Sequence, residues 1–200
     1  MSRTLLPAMA VLTFAAMAAP SYAASAATDA PAQELPAQSE HDKLFAALKN
    51  ARTEQEARAI EDAIWRMWMA QGPTKEVRDA VKAAMDARSS YDYAKALDIL
   101  EGVTAAAPDY AEGWNQKAFI LFLMERQDAS LESLDRALEL EPRHFGALAG
   151  RGIILMQQGR VELGQKALRD AVAVYPFIRE RRMIIPDPDN PLPPPGGDDI

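Results

Sequence analysis

The sequence contains no cysteine, which excludes disulfide bonds, thiolate metal sites and cysteine nucleophiles. It has only two histidines, His41 and His144, which stand far apart in the chain. It also lacks the HExxH zinc motif, a glycine-rich phosphate loop and the GxSxG nucleophile motif. We therefore expect no metal, no cofactor and no enzymatic activity. Since His144 stands at a predicted helix boundary, we interpret it as a surface residue rather than a ligand.

Positive charge is also scarce. The chain carries 22 Lys and Arg residues against 29 Asp and Glu residues, with a formal net charge of −7 at pH 7. Nucleic acids and anionic lipids bind surfaces that carry an excess of positive charge. The balance argues against both as the main ligand, so we expect the partner to be another protein or a peptide segment.

The N-terminal residues 1–23 are typical of a secretory signal peptide. A single cation precedes an apolar stretch over residues 5–19, and Ser21 and Ala23 follow at small-x-small spacing. Cleavage is expected after Ala23, with Ala26 as the alternative. The apolar stretch is shorter than the roughly 20 residues that a membrane span needs. We expect a periplasmic protein with no stable membrane span; the alternative is a membrane anchor formed by an uncleaved signal.

Two segments have compositions that favour no packed structure. Residues 24–40 are rich in Ala, Pro, Gln and Ser and contain no aromatic residue, which predicts a flexible lead-in. In residues 186–200, six of the fifteen residues are proline, which predicts polyproline II or disorder. We interpret this Pro-rich tail as solvated, although such tails also serve as ligands for other domains.

Residues 41–76 have the pattern of two amphipathic helices. Thr53 and Glu56 form the spacing of a capping box at the start of the second helix. Trp68 belongs to that helix's apolar stripe, which Trp65 widens. Because the pair cannot bury so much apolar surface by itself, it must pack on the residues that follow.

The rest of the chain shows an internal repeat. Pro108, Pro142 and Pro176 are spaced thirty-four residues apart, and a fixed period of this length indicates a repeat architecture. Proline lacks an amide donor and disfavours helical geometry in the preceding residue, so each proline is expected to end a helix. The predicted helix–turn–helix units are residues 77–110, 111–144 and 145–178.

The middle unit shows most clearly how each repeat is expected to fold. Its first helix is predicted over residues 111–124 and its second over residues 130–141. Asp109 and Glu112 have the spacing of a capping box at the start of the first helix.

Small and apolar residues recur at matching places in the three units. The eighth place has Ala84, Ala118 and Gly152; the twentieth has Ala96, Ser130 and Gly164; the twenty-fourth has Leu100, Leu134 and Leu168. This pattern resembles the tetratricopeptide repeat (TPR), and the middle unit carries Trp114 where the family most often has tryptophan.

The resemblance implies an all-α fold, a right-handed superhelical solenoid of antiparallel helix pairs. Residues 41–76 are then an N-terminal helical cap or a degenerate fourth repeat, and we favour the cap. Residues 179–185 are expected to form a C-terminal cap segment. The alternative to a solenoid is an unrelated helical bundle.

In the TPR family, the first helices of successive units line a concave groove that holds a peptide or a partner helix. Carrying that register over gives these groove residues: Met85, Arg88, Asn115, Phe119, Phe122, Leu123, Ile153, Met156 and Gln157. Val81 and Met85 stand where some family members have part of a carboxylate clamp, so the clamp is not expected here. The alternative is that some of these side chains pack beneath the N-terminal pair or the C-terminal segment.

We therefore expect a non-enzymatic scaffold or adaptor that binds a partner segment in an apolar groove in the cell envelope. The alternative is a periplasmic chaperone-like accessory factor for envelope or cytochrome assembly, which would hold unfolded clients in the same groove.

Overall fold

The computed structural model describes residues 39–196, and this part of the chain is all-α. The predicted signal peptide and most of the predicted lead-in lie outside the described residues. The described helices are α1 (Glu40–Lys49), α2 (Glu54–Ala70), α3 (Lys75–Ser89), α4 (Tyr93–Ala106), α5 (Ala111–Leu123), α6 (Gln127–Leu140), α7 (Phe145–Gln157), α8 (Val161–Val174) and a 3₁₀ helix (Arg179–Met183).

Helices α3 to α8 form three successive hairpins. Helices α5 and α7 begin thirty-four residues apart, and so do α6 and α8. Each of α4, α6 and α8 ends two residues before a proline: Pro108, Pro142 and Pro176. The prolines therefore lie in the turns between hairpins, and the prediction of an all-α repeat fold is confirmed.

Two local details of the middle hairpin differ from the prediction. Helix α6 begins at Gln127, three residues before the predicted start. The capping box at the start of α5 does not form, because its N-cap residue is Tyr110, which makes no side-chain capping bond. The Glu112 side chain is instead buried beneath α2.

Small residues let the two helices of a hairpin approach closely. In the middle hairpin, the Ser130 hydroxyl donates a hydrogen bond of 2.7 Å to the carbonyl oxygen of Ala118. In the third hairpin, a Cβ added to Gly152 would lie 2.7 Å from the Cγ of Leu168 and 3.1 Å from the Gly164 carbonyl oxygen. The eighth and twentieth places are therefore contact points between the paired helices.

Helices α1 and α2 do not cover the first hairpin, as an N-terminal cap would. Phe45, Leu48, Ile64 and Trp68 share one apolar core with residues of α7 and α8. The exposed side of α3 carries charged residues such as Lys82 and needs no cover, whereas the apolar stripe of α2 must be buried. The pair consequently packs on the third hairpin.

Polar and charged contacts hold α1 against the turn between α6 and α7. His41 Nε2 lies 2.8 Å from a carboxylate oxygen of Glu141. The guanidinium of Arg143 lies 2.9 Å from Asp42 and 4.4 Å from the centre of the Phe45 ring. Hydrogen bonds from the Ser39 hydroxyl and from Arg143 hold the pKa of Asp42 below its usual value.

The Pro-rich tail has defined contacts over residues 186–196, where we predicted polyproline II or disorder. The Arg169 guanidinium donates to the carbonyl oxygens of Ile185 and Asn190, at 3.1 and 2.9 Å. Leu192 packs against the core shared by α1, α2, α7 and α8. Two backbone carbonyl groups that lie outside any helix thus accept hydrogen bonds from Arg169 of α8, and these bonds hold the segment against that helix.

Candidate partner-binding cleft

A cleft of about 530 Å³ opens between α2, α7 and the residues that follow α8. We name it the α2–α7 cleft. Its floor is apolar and includes Trp65, Phe119, Ala149, Ile153 and Phe177. Its walls carry the charged side chains of Glu54, Arg58, Glu61 and Asp62 on α2, and of Arg179 and Glu180 on the 3₁₀ helix.

An apolar pocket of about 80 Å³ adjoins this cleft between α5, α6 and α7. Asn115, Phe119, Phe122 and Ile153 line it. Phe119 belongs to both cavities and is 44% exposed, which is unusual for a phenylalanine with so many apolar neighbours. Together they form one continuous apolar depression on the side of the array that the first helices line.

Four of the predicted groove residues thus meet around one pocket, and a fifth lies beside it. Arg88 lies with its guanidinium 5.2 Å from the centre of the Phe119 ring and donates to the side-chain oxygen of Gln116 at 3.2 Å. Phe122 also packs into the core of the second and third hairpins, so only part of its ring faces the pocket.

The other four predicted residues lie elsewhere. Met85 and Leu123 pack against the core of the first two hairpins. Met156 receives a hydrogen bond on its sulfur from Gln165 of α8, and Gln157 accepts one from Gln127 of α6. These side chains are engaged in contacts between helices and do not line either cavity.

A buried polar centre lies beneath α2, at the Glu112–His144 pair. His144 Nδ1 accepts a hydrogen bond from the Ala147 amide at 3.2 Å, so Nε2 carries the proton that points to Glu112, 2.9 Å away. Glu112 also accepts from Asn115 at 3.2 Å and from Gln116 at 2.6 Å. One carboxylate therefore receives three hydrogen bonds away from solvent.

Trp68 of α2 stacks on the His144 ring, with ring centres 3.9 Å apart and an angle of 9° between the planes. His144 is fully buried, so the prediction of a surface residue is wrong. The reason is its place in the repeat: Tyr110 and Ile178 stand at the same place in the other units and are buried as well. The last residue of each repeat unit thus points inward, and in the middle unit it meets α2.

Two tyrosines tie α2 to the repeats. The Tyr110 hydroxyl lies 3.4 Å from the carbonyl oxygen of Met69, and burial, helped by the charge of Glu112, raises its pKa. The Tyr175 hydroxyl donates to Glu61 at 2.9 Å, and burial together with this carboxylate raises its pKa. Both hydroxyl groups thus keep their protons and act as donors or dipoles rather than charges.

The lining of the cleft combines apolar and charged side chains. Across residues 39–196, no group of three or more His, Asp or Glu side chains is placed to hold a metal ion. None of the helices described is long and apolar enough to span a bilayer. A concave apolar floor can bury the apolar groups of a ligand, and the charged groups at its edges can select a ligand by its charge.

Sequence reasoning missed the walls of the cleft. Asp62 and Trp65 were assigned to a cap, and Phe177 and Glu180 to the C-terminal end of the array. The unusually wide apolar stripe of α2 was the one available signal, because it showed that the helix needed a second surface to cover. The sequence offered no signal for which surface that would be.

No known protein-family model matches the sequence. The chain is 36% identical over 141 residues to a TPR repeat-containing protein of Rhizobium etli, and the match covers 69% of this chain and 67% of that protein. The chain belongs to the tetratricopeptide repeat family. The family predicted from the proline spacing and the small-residue pattern of this TPR protein is therefore confirmed.

Solved structures of TPR proteins share the fold. The first TPR domain of Spaghetti (RPAP3), bound to an HSP90 peptide, is similar with a TM-score of 0.53 and 15% identity, over 55% of this chain and 86% of that one. The Yersinia enterocolitica type III secretion translocator chaperone SycD is similar with a TM-score of 0.50 and 11% identity, over 56% of this chain and 88% of that one. The predicted TPR-like solenoid is therefore confirmed.

Proposed function

We propose that this TPR protein is a non-enzymatic scaffold that binds a segment of another protein in the α2–α7 cleft. The exposed ring of Phe119 carries the proposal. It stands at the junction of the cleft and the adjoining apolar pocket, where a ligand side chain would remove it from water. Burial of apolar surface contributes about 25 cal/mol per Å², so one aromatic anchor in such a pocket supports specific binding.

The family supports the same function. TPR proteins are generally interaction modules, and the Spaghetti domain was solved with a peptide bound. The site here is formed differently, because α2 of the same chain supplies one wall of the cleft. We place the protein in the cell envelope, on the strength of the signal-peptide pattern in residues 1–23.

A site-specific photocrosslinker tests this proposal. A photoreactive phenylalanine analogue replaces Ile153 in the cleft or, as a control, the exposed Glu101 on α4. Irradiated cells of the organism that encodes the protein should yield one dominant adduct from position 153 and none of it from position 101. Adding Phe119→Glu should abolish that adduct.

The adduct pattern also decides between the two functions considered. Identical adducts from both positions would refute the cleft as the binding site. Many unrelated exported proteins captured at position 153 would instead favour the chaperone-like accessory factor.

A further inference from the structure

The walls of the α2–α7 cleft carry an excess of negative charge. Four carboxylates and two guanidinium groups line it. Arg58 forms an ion pair with Glu54 on the same helix, so this pair contributes little net charge. Glu61, Asp62 and Glu180 remain, opposed by Arg179 alone.

The two walls place these carboxylates on opposite sides of an apolar floor. Asp62 is exposed on α2, and the partly exposed Glu180 belongs to the 3₁₀ helix. Within residues 39–196, neither side chain forms an ion pair. A side chain inserted toward Phe119 or Ile153 would therefore be flanked by negative charge on both sides.

We propose that the cleft binds a basic segment: an apolar side chain flanked by lysine or arginine. This inference rests on the proposed function and specifies the chemistry of its partner. Cations on either side of the inserted residue would meet Asp62 and Glu180, while the anchor itself occupies the apolar floor. Like charges in the same places repel, so the same carboxylates would select against acidic segments.

Two further arginines near the cleft, Arg78 and Arg88, lie outside its lining. Arg88 is engaged with Gln116 and the Phe119 ring. Arg78 donates to the carbonyl oxygen of Gly72 at 2.5 Å, in the turn between α2 and α3. Neither guanidinium lines the cleft, so an acidic segment would find Arg179 as its only uncommitted cation among the lining residues.

The chain's own lead-in does not have the chemistry of this ligand. Residues 24–38 contain Asp29 and Glu34 but no lysine or arginine. A second copy is a stronger competitor, because Arg182, Met183 and Ile185 expose basic and apolar groups on the surface. Self-association is therefore measured as a separate outcome.

Three synthetic peptides of equal length test the inference. Each has a Leu-Phe-Leu core, with two lysines, two glutamines or two glutamates on either side, and carries a fluorescein label. Binding to the purified protein is followed by fluorescence anisotropy. Because an exposed ion pair changes affinity by up to about fivefold, we expect the lysine peptide to bind about 5- to 20-fold more tightly than the glutamine peptide, and the glutamate peptide to bind most weakly.

Two double variants distinguish attraction by the carboxylates of the cleft from attraction by the net negative charge of the whole protein. Asp62→Asn with Glu180→Gln removes two carboxylates from the cleft, while Asp98→Asn with Glu101→Gln removes two exposed carboxylates from α4. The cleft variant should lose most of the preference for lysine, and the α4 variant should keep it. Equal losses in both would overturn the inference, because attraction would then come from the net charge.

The remaining outcomes are equally decisive. Equal binding of the three peptides, abolished by Phe119→Glu, would overturn the charge preference and leave the proposed binding site intact. Failure of all three to bind would overturn the inference, while photocrosslinking at position 153 tests the proposed function independently. If light scattering showed a dimer that the cleft variant dissociates, a second copy would be the occupant, and the inference would be wrong.

Discussion

The Glu112–His144 pair gives a sharp prediction, the effect of Glu112→Gln on stability. The carboxylate accepts hydrogen bonds from three donors, on His144, Asn115 and Gln116. A glutamine has a single acceptor oxygen and presents an amide donor in place of the other. Whichever way the new side chain is oriented, at least one of the existing donors faces another donor.

The positions of the three donors around residue 112 determine how much unfolding free energy the substitution removes. The least damaging orientation keeps the oxygen toward His144 and Asn115 and turns the new amide toward Gln116. Gln116 could accept only by flipping its own amide, which would end its hydrogen bond with Arg88. The exchange weakens charge-assisted bonds, worth about 1.5–3 kcal/mol each, to neutral ones of about 0.5–1.5 kcal/mol. We expect a loss of about 2 kcal/mol in the free energy of unfolding.

Urea unfolding followed by circular dichroism at 222 nm measures this loss. For a chain of this size, about 2 kcal/mol corresponds to a fall of about 4–8 °C in Tm. Glu101→Gln, an exposed change on α4, is the control and should stay within about 0.5 kcal/mol of the wild type. If Glu112→Gln were as stable as this control, the carboxylate would not organise the buried centre as described.

Three further predictions concern packing, pH and the cleft. Gly152→Ala should destabilise the protein by about 1–2 kcal/mol, because the added Cβ would overlap Leu168. Gly150→Ala is the matched control: its added Cβ would lie 3.6 Å from its nearest neighbours, so thermal melts should show stabilisation by up to about 1 kcal/mol. The raised pKa of Tyr175 means that the folded protein keeps the hydroxyl proton that the unfolded chain loses near about pH 10. The free energy of unfolding should therefore fall above that pH. Tyr175→Phe should reduce this fall, measured by urea titrations between about pH 9 and 11. Phe119→Glu should change the free energy of unfolding by less than about 1 kcal/mol, whereas Phe122→Glu, which places a charge in a core, should cost about 2 kcal/mol or more by the same measurement.

The repeat array could be predicted from the sequence because its information is local and periodic. Pro142 ends a helix for a reason that lies within its own backbone. Gly152 and Gly164 had to be small because two helices of one hairpin meet there. The same period placed Phe119 and Ile153 on the side lined by the first helices, where the structure has them on one pocket.

The position of α2 could not be predicted in this way. Its apolar stripe specified that it must be buried but not where, because Trp68 is as compatible with the first hairpin as with the third. The choice depends on the shape and charge of distant surfaces, such as the charged outer side of α3 and the ring of Phe145. His144 was misassigned for a related reason, since its inward direction follows from the repeat but its partners, Glu112 and Trp68, come from other parts of the chain.

Because α2 forms a wall of the cleft, we expect partner binding at the proposed site to depend on the docking of α2. Trp68 holds α2 on the buried Glu112–His144 pair, whereas Asp62 and Trp65 of the same helix face the cleft. A ligand that binds only when α2 is in place stabilises that arrangement in proportion to its concentration and affinity. A variant that loosens the buried pair weakens binding in proportion to the population in which α2 has left the repeats, although none of its atoms contacts the ligand. If Glu112→Gln undocks α2 in a sizeable fraction of molecules, it should reduce the affinity for the lysine-flanked peptide, and saturating peptide should restore part of the lost Tm.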